Sequence, residues 1–104
     1  MSEPEARLAR DLILRLRPRL TVWFHQPLAV TDRSGGDVAL ERRFAAISGL
    51  PLRRLPRYHG SAATWENHRL PEATAFVVEL PAGPASGEQL RGYVRAVRTV
   101  AGLA

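Results

Sequence analysis

Two short runs of β-branched and aromatic residues constrain this chain more than anything else in it. Leu20-Thr21-Val22-Trp23-Phe24 and Thr74-Ala75-Phe76-Val77-Val78-Glu79-Leu80 are apolar at almost every position. A strand with one face in water alternates apolar and polar side chains, whereas a strand covered on both faces does not. The first run therefore predicts a strand of a sheet that carries helices on its two faces, and the second predicts another strand. Prolines bound them, with Pro18 before the first, Pro27 after it and Pro81 after the second.

The intervening segments supply the helices. Ser2-Glu3-Pro4-Glu5 predicts a helix start, with Ser2 as cap, Pro4 in the first turn and Glu5 at the capping-box position. Leu8, Leu12, Ile13 and Leu16 then form one apolar stripe, which ordinarily faces a core, and Pro18 stops the helix. Asp32-Arg33-Ser34-Gly35-Gly36 reads as a loop. Asp37 caps a second helix carrying Val38, Leu40, Phe44 and Ile47, which ends at Gly49. Residues 50–60 read as irregular, with a short extended piece near Leu52–Leu55, and Ser61–Asn67 as a short helix or turn. Ser86-Gly87-Glu88-Gln89 is a capping box opening a last helix, whose predicted buried face is Leu90, Tyr93, Val94, Val97 and Val100. The order helix, strand, helix, strand, helix predicts an α/β fold with a parallel or mixed sheet flanked by helices.

The 104 residues suffice for a single domain, expected over 1–104. The absence of cysteine excludes disulfides and thiolate metal ligands. The formal net charge is +5, and all fifteen basic residues are arginines spread along the chain rather than gathered in a block. That distribution is expected of a solvated surface and not of a nucleic-acid partner. No apolar run is long enough to span a membrane and the N-terminus lacks the layout of a secretory signal, so the expectation is a cytoplasmic protein with no membrane partner.

Two residues break the apolar logic of the strands, both at the downstream end. His25 follows Phe24, and Glu79 follows Val78. Ligand sites of open α/β sheets lie outside the carboxyl ends of the strands. A neutral imidazole there can bind zinc, and a carboxylate can take a proton from a water and return it to a leaving amine. A histidine at a strand end is equally a hydrogen-bonded edge residue, and a glutamate there can simply solvate the sheet edge. Spacing alone leaves both readings open. His59 and His68 read as solvated loop residues, and Gly35-Gly36 as a turn without the rest of a phosphate loop.

Several segments taken in order carry a resemblance. They are Glu3–Arg7, Arg17-Pro18-Arg19-Leu20-Thr21-Val22-Trp23-Phe24-His25-Gln26-Pro27-Leu28, Asp32–Gly36, Gly60-Ser61-Ala62-Ala63-Thr64-Trp65-Glu66-Asn67, and Ala75-Phe76-Val77-Val78-Glu79-Leu80-Pro81. Together they resemble the C-terminal half of bacterial zinc carboxypeptidases, including the murein peptide amidase-like branch. The resemblance implies a partial zinc-carboxypeptidase fold, with His25 as the third zinc ligand and Glu79 as the catalytic glutamate. It implies zinc as cofactor and a peptide, such as a cell-wall peptide, as substrate of the intact enzyme.

The family's His-x-x-Glu zinc motif has no counterpart, because His25, His59 and His68 are followed by Gln-Pro-Leu, Gly-Ser-Ala and Arg-Leu-Pro. No arginine matches the family's substrate arginines. Asn67 stands near the place of a mobile tyrosine, and Tyr58 reads as a packing residue. The chain alone is thus expected to be inactive, as one part of an enzyme completed by an N-terminal half. The alternative is a non-catalytic remnant or interaction module without zinc. With that half absent, Thr74–Leu80 is expected to lose a neighbour and become an exposed edge strand, so that the chain self-associates or requires its complement.

Overall fold

A computed structural model describes residues 3–56 and 61–104. Ser2, Tyr58 and His59 lie outside the described residues. The elements run α1 (Glu3–Leu16), β1 (Leu20–His25), β2 (Leu28–Asp32), α2 (Val38–Ser48), β3 (Leu52–Arg53), α3 (Ser61–Arg69), β4 (Thr74–Pro81) and α4 (Gly87–Leu103). The strands form one four-stranded mixed sheet in the order β1-β4-β2-β3. β1 runs parallel to β4, β2 antiparallel to β4, and β2 parallel to β3. None of the helices in the described residues is long and apolar enough to cross a membrane.

β4 is buried on both faces, as its unbroken apolar run requires. Phe76 and Val78 pack on one side with Leu40 and Phe44 of α2 and with Tyr93, Ala96 and Val100 of α4. Ala75 and Val77 point the other way, onto Ala63 of α3 and Trp23 of β1. Phe44 lies between Phe24 and Phe76, with ring centroids 6.4 and 5.5 Å away. The period-two alternation of β4 thus divides the core into a larger layer beneath α2 and α4 and a smaller one beneath α3.

The helix ends follow their caps. Asp37 Oδ1 accepts from the Ala39 amide, and Gly49, in a left-handed conformation at φ 77°, closes α2 by donating to Ala45 O. Ser86 and Gln89 complete the reciprocal capping box of α4, at 3.0 and 2.8 Å.

Three expectations are corrected. The strand Leu28–Asp32 was not anticipated. Its polar end, Thr31 and Asp32, resembles a loop in sequence, yet both residues are buried. They are satisfied by tertiary partners: Thr31 Oγ1 donates to Leu50 O, and Asp32 Oδ1 accepts from the Leu55 amide. Because β2 fills that side of β4, the strand ending in Glu79 is interior and not an edge; among the described residues the open edges are β1 and β3. Finally, the apolar stripes are only partly used. On α1, Ile13 is buried, while Leu8, Leu12 and Leu16 are 71, 45 and 63 % exposed. On α4, Tyr93 and Val100 are buried, but Leu90 and Val94 are exposed.

Candidate active site

The parallel pairing of β1 with β4 is in register from Leu20↔Thr74 to His25↔Glu79, so the imidazole and the carboxylate occupy the final rung of the ladder. Side chains alternate along each strand, which puts Thr21, Trp23 and His25 on the same face as Ala75, Val77 and Glu79. His25 Nδ1 lies 3.8 Å from Glu79 Oε2, too long for a direct hydrogen bond. The two side chains differ sharply in environment: His25 is 51 % exposed and Glu79 only 2 %. On its other side Glu79 is opposed by Val30 of β2. A buried carboxylate beside an exposed imidazole at the carboxyl ends of parallel strands can accept a proton from a water and deliver it to a leaving group.

The same face of β1 rests on a second buried carboxylate, one that sequence reasoning did not single out. Glu66 of α3 accepts hydrogen bonds from Thr21 Oγ1 at 2.5 Å and from Trp23 Nε1 at 3.1 Å. Its neighbour Trp65 is half-buried, with the Arg10 guanidinium 5.7 Å from the ring centroid, which ties α1 to α3. No local pattern announces Glu66, because its donors Thr21 and Trp23 lie more than forty residues upstream.

Behind β4 a polar network fixes the loop that precedes α2. Asp32 Oδ2 accepts from Ser34 Oγ at 2.6 Å, and Ser34 Oγ accepts from the Val77 amide. Asn67 donates to Ser34 O and Ala75 O and accepts from the Ala75 amide, so its side chain is committed to backbone and not presented to a substrate. Gly36 is needed here because a Cβ would fall 2.8 Å from Asn67 Oδ1 and from Thr74 Cγ2. Glu41 accepts from the Ser34 amide. Burial pushes its carboxyl above the usual carboxylate range, opposed by that hydrogen bond and by Arg33 and reinforced by Asp32 and Asp37.

The described residues do not by themselves fit a zinc ion. A catalytic zinc takes three protein ligands, and among the described residues no group of three or more His, Cys, Asp or Glu side chains could hold a metal. His68, at the C-terminal end of α3, is exposed and joins no such group.

No family model matches the chain, and no curated protein matches it. Among solved structures it is similar to the murein-tripeptide amidase MpaA from Escherichia coli O157, with 28 % sequence identity and a TM-score of 0.62. The match covers 98 % of this chain and 41 % of the amidase, so the chain spans less than half the length of that protein. The resemblance read from the sequence is thereby matched by one of fold: a mixed sheet flanked by helices, forming part of a carboxypeptidase-like architecture.

Proposed function

We propose that the chain is the C-terminal portion of a zinc-dependent peptide amidase, inactive alone and completed by further polypeptide outside these residues. The observation that carries this reading is the shared rung of His25 and Glu79 at the ends of two parallel strands. Glu79 serves as the proton carrier, taking a proton from a water held beside His25 and giving it to the amine that leaves. Zinc is the cofactor the reading implies, with His25 as one ligand and the others supplied by the completing polypeptide. Its substrate is a peptide of the cell-wall type, by analogy with the amidase of similar fold.

The open edge of β1 supports the site of completion. β1 carries no proline or charged residue from Leu20 to Phe24. Such an edge offers unpaired amides and carbonyls to an added strand, and Phe24 at its end is exposed. The leucines of α1 supply apolar surface elsewhere on the chain for the same partner.

The test is complementation. The chain is mixed with zinc and a murein tripeptide, with and without an N-terminal complement carrying a His-x-x-Glu motif and substrate arginines. Turnover is expected only with the complement, and Glu79→Gln is expected to reduce it by about 10²-fold or more. Hydrolysis by the chain alone, lost in Glu79→Gln, overturns the split reading. A folded complex without turnover selects the alternative, a non-catalytic interaction module.

A further inference from the structure

The β1–β4 ladder ends at His25↔Glu79, and beyond it β4 continues against β2 at Leu28↔Pro81. Pro27 and Pro81 follow within two residues of the pair, and Pro84 lies three residues further on. None has an N–H to extend the pairing. Two carbonyls downstream of Glu79, those of Pro81 and Gly83, nevertheless have a donor. Gln26 Nε2 reaches both, at 3.0 and 3.1 Å. A primary amide nitrogen carries two hydrogens, so one side chain satisfies both acceptors. Gln26 directly follows His25, and Pro81 lies two residues beyond Glu79. The side chain therefore joins the segment leaving the imidazole to the segment leaving the carboxylate.

We infer that Gln26 is a positioning residue, which holds the loops after His25 and Glu79 together and so fixes the separation of the two side chains. This rests on the reading of His25 and Glu79 as the reacting pair. The strap is exposed, and an exposed hydrogen bond contributes little to net stability. Its effect is geometric: Glu79 is held on its other side by Val30 of β2, whereas the β1 ladder ends at His25, so loss of the strap loosens the imidazole against the carboxylate.

The experiment uses the full chain with isotopically labelled histidine and reads the His25 ring resonances by NMR. The response of those resonances to Glu79→Gln is measured with Gln26 in place and in Gln26→Ala, as a double-mutant cycle. The response is expected to fall by about half or more in the Gln26→Ala background. Gln26→Glu keeps the size but loses both donors, and is expected to behave like Gln26→Ala. Gln26→Arg restores planar N–H donors and is expected to recover the response. An equal response in both backgrounds overturns the inference, as does no response in the wild-type background. Unfolding of Gln26→Ala also overturns it, because the strap would then support the fold and not the spacing. Complementation without turnover would remove the proposed amidase function while leaving this measurement of coupling intact.

Discussion

Glu41 is buried against the Ser34 amide with Asp32 and Asp37 nearby, and its proton is held more tightly in the folded chain than in the unfolded one. The sign of the linkage follows. The stability that this group contributes is fully present below its ordinary value of 4.5 and is lost as pH rises through the elevated folded value. Glutamine keeps an oxygen to accept from Ser34 and has no charge to desolvate. Glu41→Gln is therefore expected to melt at a higher temperature than the wild type at pH 7, with the difference closing as pH falls toward 4.5. A pair of melting curves across that range checks it; a variant less stable at pH 7 would mean that the Ser34 amide and Arg33 outweigh the burial of the charge.

Among the elements, α1 best separates helix formation from burial. Its stripe of Leu8, Leu12, Ile13 and Leu16 has helical spacing, and the helix forms, but only Ile13 is buried. Ile13→Ala is expected to cost about 2 kcal/mol or more. Replacing Leu8, Leu12 and Leu16 together by serine is expected to change the stability of the isolated chain by only about 0.5 kcal/mol per site. Thermal unfolding of the two variants distinguishes the positions. A leucine-to-serine triple variant that fails to fold would show that α1 is held by those side chains after all.

What could be read from the sequence divides along the same line. The runs at Leu20–Phe24 and Thr74–Leu80 declare strands, and the caps Asp37 and Ser86 place their helices, because each signal is local. The nearness of His25 to Glu79 follows from two parallel strands ending alike. β2 was not legible because Thr31 and Asp32 become strand residues through bonds to Leu50 and Leu55, about twenty positions away. Nor was the exposed face of α1, since a sequence shows that a stripe is apolar but not what covers it. Gln26 gave no signal, its partners lying more than fifty residues downstream.

At the scale of the whole molecule, the open β1 edge and the leucines of α1 leave the isolated chain with two kinds of unsatisfied surface. Light scattering on a size-exclusion column at micromolar concentration is expected to give a mass that rises with concentration above the 11.5 kDa monomer. The leucine-to-serine triple variant should shift that mass toward monomer. A wild-type chain that stays monomeric, unfolds cooperatively and binds no hydrophobic dye would instead mark a self-sufficient unit.

The buried Glu66 carboxylate has a consequence for any strand that joins β1. It takes its hydrogen bonds from alternate residues, Thr21 and Trp23. A slip of one position would turn Leu20, Val22 and Phe24 toward it and strip it of both donors, leaving a charge without partners in the interior. The alignment of β1 is thus checked from inside the molecule, before any newcomer arrives. Main-chain bonding along an edge gives affinity without discriminating among sequences, and side-chain pockets supply the choice. A joining strand therefore finds His25 at a fixed address but contributes nothing to setting it. Discrimination between a proper complement and a stray strand then falls to side-chain surfaces such as the leucine face of α1.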